Sequence, residues 1–164
     1  MPIVAADIKY FLSGGGSNTD PNASLGGAVS STEAASTIFD NVSSGEAAAG
    51  DVEYRCVYVK NTHGSLTLTD PKIWIQTNTP SGDTAVEVSL GTSTVNGTEQ
   101  TVADEDTAPI GTAFSSAANE GAGLSLGNLA PGATKAVWVK RTVTAAAAAA
   151  NDSFTLRTKG DTLP

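Results

Sequence analysis

From Val52 to Lys60 the chain alternates, with Tyr54, Cys56 and Tyr58 on one side and Arg55, Val57 and Val59 on the other. Such a period of two predicts an extended strand, because successive strand side chains point to opposite faces. The pattern then recurs. "SLTLT" sets Leu66 and Leu68 on one face, and "KIWIQT" reads as a third strand. In "TAVEVSLG", Thr84, Val86, Val88 and Leu90 share a face, which leaves Glu87 and Ser89 to water. Val137, Val139, Arg141 and Val143 alternate with Trp138, Lys140 and Thr142, and "SFTLRT" closes the series. Asp70-Pro71, "TPSGD", Asn96-Gly97 and Pro131-Gly132 punctuate these runs, and Asn96-Gly97 is the strongest short hairpin signal among them. About seven or eight short strands at this spacing predict an all-β, antiparallel sandwich, Ig-like or jelly-roll-like. No stretch between strands is long enough to demand a parallel crossover. Ala145–Ala150 is the single helix candidate, with Thr144 as its N-cap. A run that short does not stand unsupported, so it reads as one helical turn or a small-residue loop.

Composition fits strands better than helices. The 164 residues suit one domain, 40% are hydrophobic, and only 16% are charged against the ~25% usual in soluble domains. Seventeen glycines and abundant Ser, Thr and Asn replace the missing charge. The net charge of −8 repels phosphate backbones and argues against nucleic acid as a partner. One cysteine forms no internal disulfide, so folding does not depend on an oxidising compartment. In "MPIVAADIKYFLSGGG" Asp7 and Lys9 interrupt the apolar pieces, which reads as neither a signal peptide nor a membrane span. Synthesis and folding are expected in the cytoplasm.

Residues 1–45 read differently from residues 46–164. "SGGGSNTDPNASLGGAVSSTEAAS" has almost nothing to bury and predicts flexibility, since few apolar groups offset its ordering entropy. The expectation is an extended N-terminal arm at 1–45, followed by the sandwich domain at 46–164. The arm's apolar residues, Ile3, Val4, Ile8, Tyr10, Phe11 and Leu12, have no evident place in a sandwich filled by its own strands. They are therefore expected to form an interface with other subunits.

No side-chain set announces catalysis. Cys56 alternates within a strand and reads as a packed small hydrophobe, whereas His63 lies past the strand end in the turn "NTHG". A thiolate nucleophile needs a base within reach, and one Cys with one His does not build a structural zinc site. "SGGGSN" lacks the Lys-Ser/Thr ending of a phosphate loop. Asp104, Glu105 and Asp106 do not follow EF-hand spacing and read as a solvated acidic loop, with a cation there as the alternative. Sequons at Asn22, Asn41, Asn96 and Asn151 are what chance gives in so Asn- and Ser-rich a chain. Trp74, Trp138, Tyr54 and Tyr58 read as packing residues before they read as a sugar platform. No enzyme activity, cofactor or metal is expected.

The frame "DIKYFLSGGGSNTDPNASLGGAVS", "DVEYRCVYVKNTHGSLTL", "KIWIQTNTPSGDTAVEVSLGTS", "LAPGATKAVWVKRTV" and "GDT" resembles a family of small structural proteins encoded by tailed bacteriophages. The resemblance spans nearly the whole chain. It implies a virion component present in many copies, with the major capsid protein or other virion proteins as partners and no membrane. An arm that orders on contact suits a capsid decoration (cement) protein that caps capsomer junctions as an oligomer, a trimer being the expected form. The alternatives are a tail, neck or baseplate component, and a carbohydrate-binding module of a host-adsorption device.

Overall fold

In a computed structural model, which describes residues 1–148 and 151–162, ten strands follow one another along the chain. They are β1 (Ile8–Ser13), β2 (Gly26–Gly27), β3 (Val29–Glu33), β4 (Asp51–Asn61), β5 (Leu68–Thr77), β6 (Thr84–Leu90), β7 (Glu99–Thr101), β8 (Leu124–Ser125), β9 (Thr134–Val143) and β10 (Thr155–Thr162). A five-stranded sheet has the order β3-β1-β4-β9-β6, a three-stranded sheet the order β10-β5-β8, and β2 pairs with β7. Every pairing is antiparallel, so the expected all-β class stands. Among the described residues no helix is long and apolar enough to cross a membrane.

The alternation read from the sequence becomes two cores. Val57 and Val59 of β4, Val137 and Val139 of β9, and Val86 and Val88 of β6 face inward onto Leu68, Ile73 and Ile75 of β5. Cys56 and Tyr58 of β4, with Ala136 and Trp138 of β9, point the other way and meet Phe11, Val102 and Leu25. The five-stranded sheet is thus covered on both sides, by the three-stranded sheet within and by loops from residues 14–28 and 92–114 without. This outer layer explains one departure from expectation. Ser89 does not face water: it is 2% exposed, and its hydroxyl accepts from Ala113 N at 3.0 Å.

Residues 1–45 are not a separate arm. β1 lies between β3 and β4, in register from Ile8↔Asn61 to Leu12↔Val57. Leu12 is 1% exposed and Phe11 is buried, while Ile3, Ile8 and Tyr10 pack against the inner core and Val4 stays exposed. Apart from Val4, the apolar set therefore has its place inside the module. The glycine-rich stretch is held by backbone bonds that its composition does not reveal, including Gly15 N to Ala28 O and Cys56 N to Ser24 O. Gly26 shows why glycine is used there. It has φ +95°, and a Cβ would stand 1.8 Å from Gln100 O on β7.

Two local readings also change. Asn96 takes φ 62° in a turn closed by Gly97 N to Thr94 O, but the strands on either side do not pair. β7 goes to β2 instead, so Asn96-Gly97 makes a turn without a hairpin. Among the described residues the one α-helix is α1 (Ser44–Ala49), opened by a capping box in which Ser43 Oγ accepts from Glu46 N and Glu46 accepts from Ser43 N. In the alanine run, Thr144 Oγ1 donates to Asp83 O and Ala146 has positive φ, while Ala149 and Ala150 lie outside the described residues.

Candidate functional site

The inner face of β4 begins with charge. Glu53 and Arg55 share that face with Val57 and Val59, and Arg141 joins them from β9 directly opposite Glu53. Glu53 and Arg55 are both essentially inaccessible to solvent. Desolvating such ions is costly unless each finds a partner, and the surrounding chain provides several. Arg141 Nε donates to Glu53 Oε2 at 2.5 Å, and its Nη1 donates to Asp40 O at 2.6 Å. Arg55 Nη2 bonds Glu105 and also donates to Asn22 Oδ1 at 3.2 Å, while Nη1 reaches Tyr54 O at 3.2 Å. Phe39 adds its ring to both guanidiniums, 5.5 Å from Arg55 and 4.8 Å from Arg141. Burial pushes the Glu53 carboxyl above its ordinary range, although Arg141 and Arg55 pull it back. Its Oε1 and Arg55 Nε have no hydrogen-bond partner.

Carboxylate oxygens of Asp40, Glu53 and Glu105 lie within 4.8 Å of one another, close enough to share a cation. That cation is already present in the chain itself. Arg55 Nη2 stands 3.8 Å from Asp40 and from Glu53 and closer still to Glu105. The guanidinium occupies the centre that a metal ion would need.

This cluster roots a wider acidic end of the sandwich. Asp51 opens β4 and pairs with Val143, which pairs in turn with Thr84 of β6. Asp83 adjoins that row, and Asp152 accepts from Ser81 N, Ser81 Oγ and Thr84 Oγ1. Around Asp106, partial desolvation and then the charges of Asp51, Asp104, Glu105 and Glu46 raise its carboxyl above the usual range. The expected acidic loop, Asp104–Asp106, belongs to this end. Asp104 accepts from Thr107 Oγ1 at 2.5 Å, Glu105 turns in to Arg55, and Asp106 is exposed. The cations that meet these carboxylates, Arg55 and Arg141, are both buried, so the end presents negative charge to solvent.

The remaining candidates fall elsewhere. Cys56 is wholly buried beside Ser13 in the outer core, and burial pushes its thiol up. His63 sits beyond the end of β4, where Nδ1 accepts from Ser65 N and Leu66 N and Nε2 lies 3.2 Å from Met1 O. The structure does not bring the two together. Trp138, Tyr58 and Trp74 are in the core, and Tyr54 packs against Phe114 with centroids 5.4 Å apart and rings inclined at 55°.

One carboxylate outside the acidic end also stands out. Glu99 is 3% exposed and accepts from Thr92 N, Thr92 Oγ1, Ser93 N, Gln100 Nε2 and Trp138 Nε1. Burial alone would raise its pKa, but the bonds from Ser93 and Thr92 outweigh it and hold it at about 2. A Cβ on Gly91 would lie 2.4 Å from Glu99 Oε2, so the glycine makes room for the carboxylate. Glu99 is a knot tying the 92–99 loop over Trp138.

The ion cluster could not be assembled from sequence, since its members come from residues 22, 39–40, 53–55, 105 and 141. The available signal was Arg55 and Arg141 standing among valines on faces that had to be buried. No family model, no curated protein and no solved structure matches the chain.

Proposed function

We propose that the chain is a structural protein of a tailed-bacteriophage virion, a capsid decoration (cement) protein that binds the capsid surface and reinforces capsomer junctions. The observation that carries this reading is the gathering of carboxylates at one end of a sandwich whose central sheet is packed on both faces. A module attached through a charge-polarised end takes the same orientation at every position of a repeating surface. Complementary charge also steers it there and rejects wrong faces. The resemblance of the sequence frame to small phage structural proteins supplies the class. The acidic end supplies the means, with basic residues of the major capsid protein as its counterpart. Of the aromatic residues of a sugar platform, Trp74, Trp138 and Tyr58 are buried in the core and Tyr54 is half-buried against Phe114, which weighs against a carbohydrate-binding module.

The test is cosedimentation of the full chain with undecorated capsids, with isolated tails and baseplates in parallel. Capsid binding that weakens as salt is raised, and is lost in Asp104→Lys/Asp106→Lys, is the expected result. Binding to tails or baseplates alone would transfer the protein to the alternative position. Binding to neither would overturn the reading.

A further inference from the structure

The two principal sheets end in four edge strands, and the chain finishes three of them. On β6, Val88 exchanges two 2.9 Å backbone bonds with Ser115, and the Asn78 amide accepts from Val86 N and donates to Val86 O. β3 is five residues long, with Ser31 N bonded to Gly16 O and Thr32 N to Ser30 Oγ. β8 is two residues long. β10 is different. It runs eight residues, pairs with β5 on one side, and on the other meets no backbone partner among the described residues. A groove of about 420 Å³ runs beside it, walled by Ile3, Val4, Ile8, Tyr10 and Leu156. An edge of that length with unpaired N–H and C=O groups accepts another strand.

We propose that this strand is β10 of a second copy, joined about a two-fold axis normal to the sheet. Charge complementarity selects the occupant. Such an axis keeps each face of the sheet on its own side and allows only registers in which directly opposed residues share a face. Arg157, Lys159 and Asp161 alternate with Leu156, Thr158 and Gly160, and the first three are the exposed set. With Thr158 opposite Gly160 of the second copy, Arg157 of each copy meets Asp161 of the other. Lys159 then meets its own counterpart, and each is already held by Glu120 at 2.9 and 3.1 Å. The next face-preserving register one way sets Arg157 against Lys159. The next the other way sets Lys159 against Asp161, but it shortens the ladder and leaves Arg157 without a counter-charge. Of the face-preserving registers, the first is the longest that sets opposite charges against each other, and in it the two three-stranded sheets become one continuous sheet across the pair.

The pairing concerns the isolated chain and does not depend on the virion reading; a monomer that still bound capsids would sink the pairing alone. The test is sedimentation velocity on the full chain from micromolar to submillimolar concentration, with thermal melts confirming that each variant folds. The wild type is expected to dimerise. Arg157→Asp and Asp161→Arg should each weaken the dimer at least about tenfold, because both symmetric pairs become like-charged. Arg157→Asp/Asp161→Arg in one chain exchanges the partners and should restore it. Amide exchange should slow in β10 as concentration rises. A wild type that remains monomeric overturns the proposal. So does a dimer indifferent to the single reversals, a double variant no better than the singles, or protection of β10 that appears only with another protein.

Discussion

Glu53 and Arg141 stand directly opposite one another on β4 and β9, 88 residues apart in the chain and joined Nε to Oε2 at 2.5 Å. Removing either partner leaves the other buried without its hydrogen-bonded counter-ion, the nearest remaining opposite charge being Arg55 at 3.8 Å for Glu53 and Asp40 at 3.6 Å for Arg141. Arg141→Met is expected to cost about 3–5 kcal/mol, read as a lower urea midpoint. Glu53→Gln keeps the shape and should cost less than Glu53→Ala. Equal losses for the two Glu53 variants would mean that packing, not charge, sets the effect.

Glu99 makes stability depend on pH. Its folded pKa, about 2, lies below that of an unfolded glutamate. Its contribution is therefore fully present above about pH 4.5 and fades as pH falls towards 2, and is worth about 2–3 kcal/mol when complete. Glu99→Gln should lower stability at pH 7 and flatten the acid limb of the stability profile. An unchanged profile would show that the loop holds without the charge.

Deleting residues 1–12 should prevent folding. The deletion removes most of β1, bares one edge of β4, and takes away Phe11 and Leu12, whose burial is worth about 1.5–3 kcal/mol each. Circular dichroism and solubility of the truncated chain read the outcome. A soluble, cooperatively folded product would restore the idea of a dispensable arm.

Cys56 should be silent towards thiol reagents in the native protein and react fully once denatured, since burial raises its pKa and bars access. Cys56→Ala should cost about 1–3 kcal/mol as a packing defect. Rapid native labelling would place the thiol at the surface.

What the sequence made legible followed from local geometry. β4 and β9 were readable because alternation is a property of neighbouring residues. The placing of Ser89 in water failed because alternation says which residues share a face but not whether a second layer covers it. The glycine-rich stretch read as flexible because its order comes from bonds to residues far along the chain, such as Ser24 O to Cys56 N. Arg55 and Arg141 were visible as charges among valines, but their counter-ions Glu105 and Asp40 lay in loops that no pattern links to them. β10 is the converse case. Its strand character was plain in "SFTLRT", while its open edge could appear only once every other edge had been accounted for.

The placing of β4 between β1 and β9 also governs how the chain reaches its native state. One neighbour precedes β4 and the other follows it only after β5, β6, β7 and β8, so the middle of the sheet stays half-built on the ribosome until β9 has emerged. Pairings so remote in sequence are slow, falling in the millisecond-to-second range typical of small β-proteins. Through that interval Cys56, Tyr58 and the valines of β4 stand uncovered on one or both sides. The crowding of nascent chains is then a condition under which this protein is exposed to misassembly.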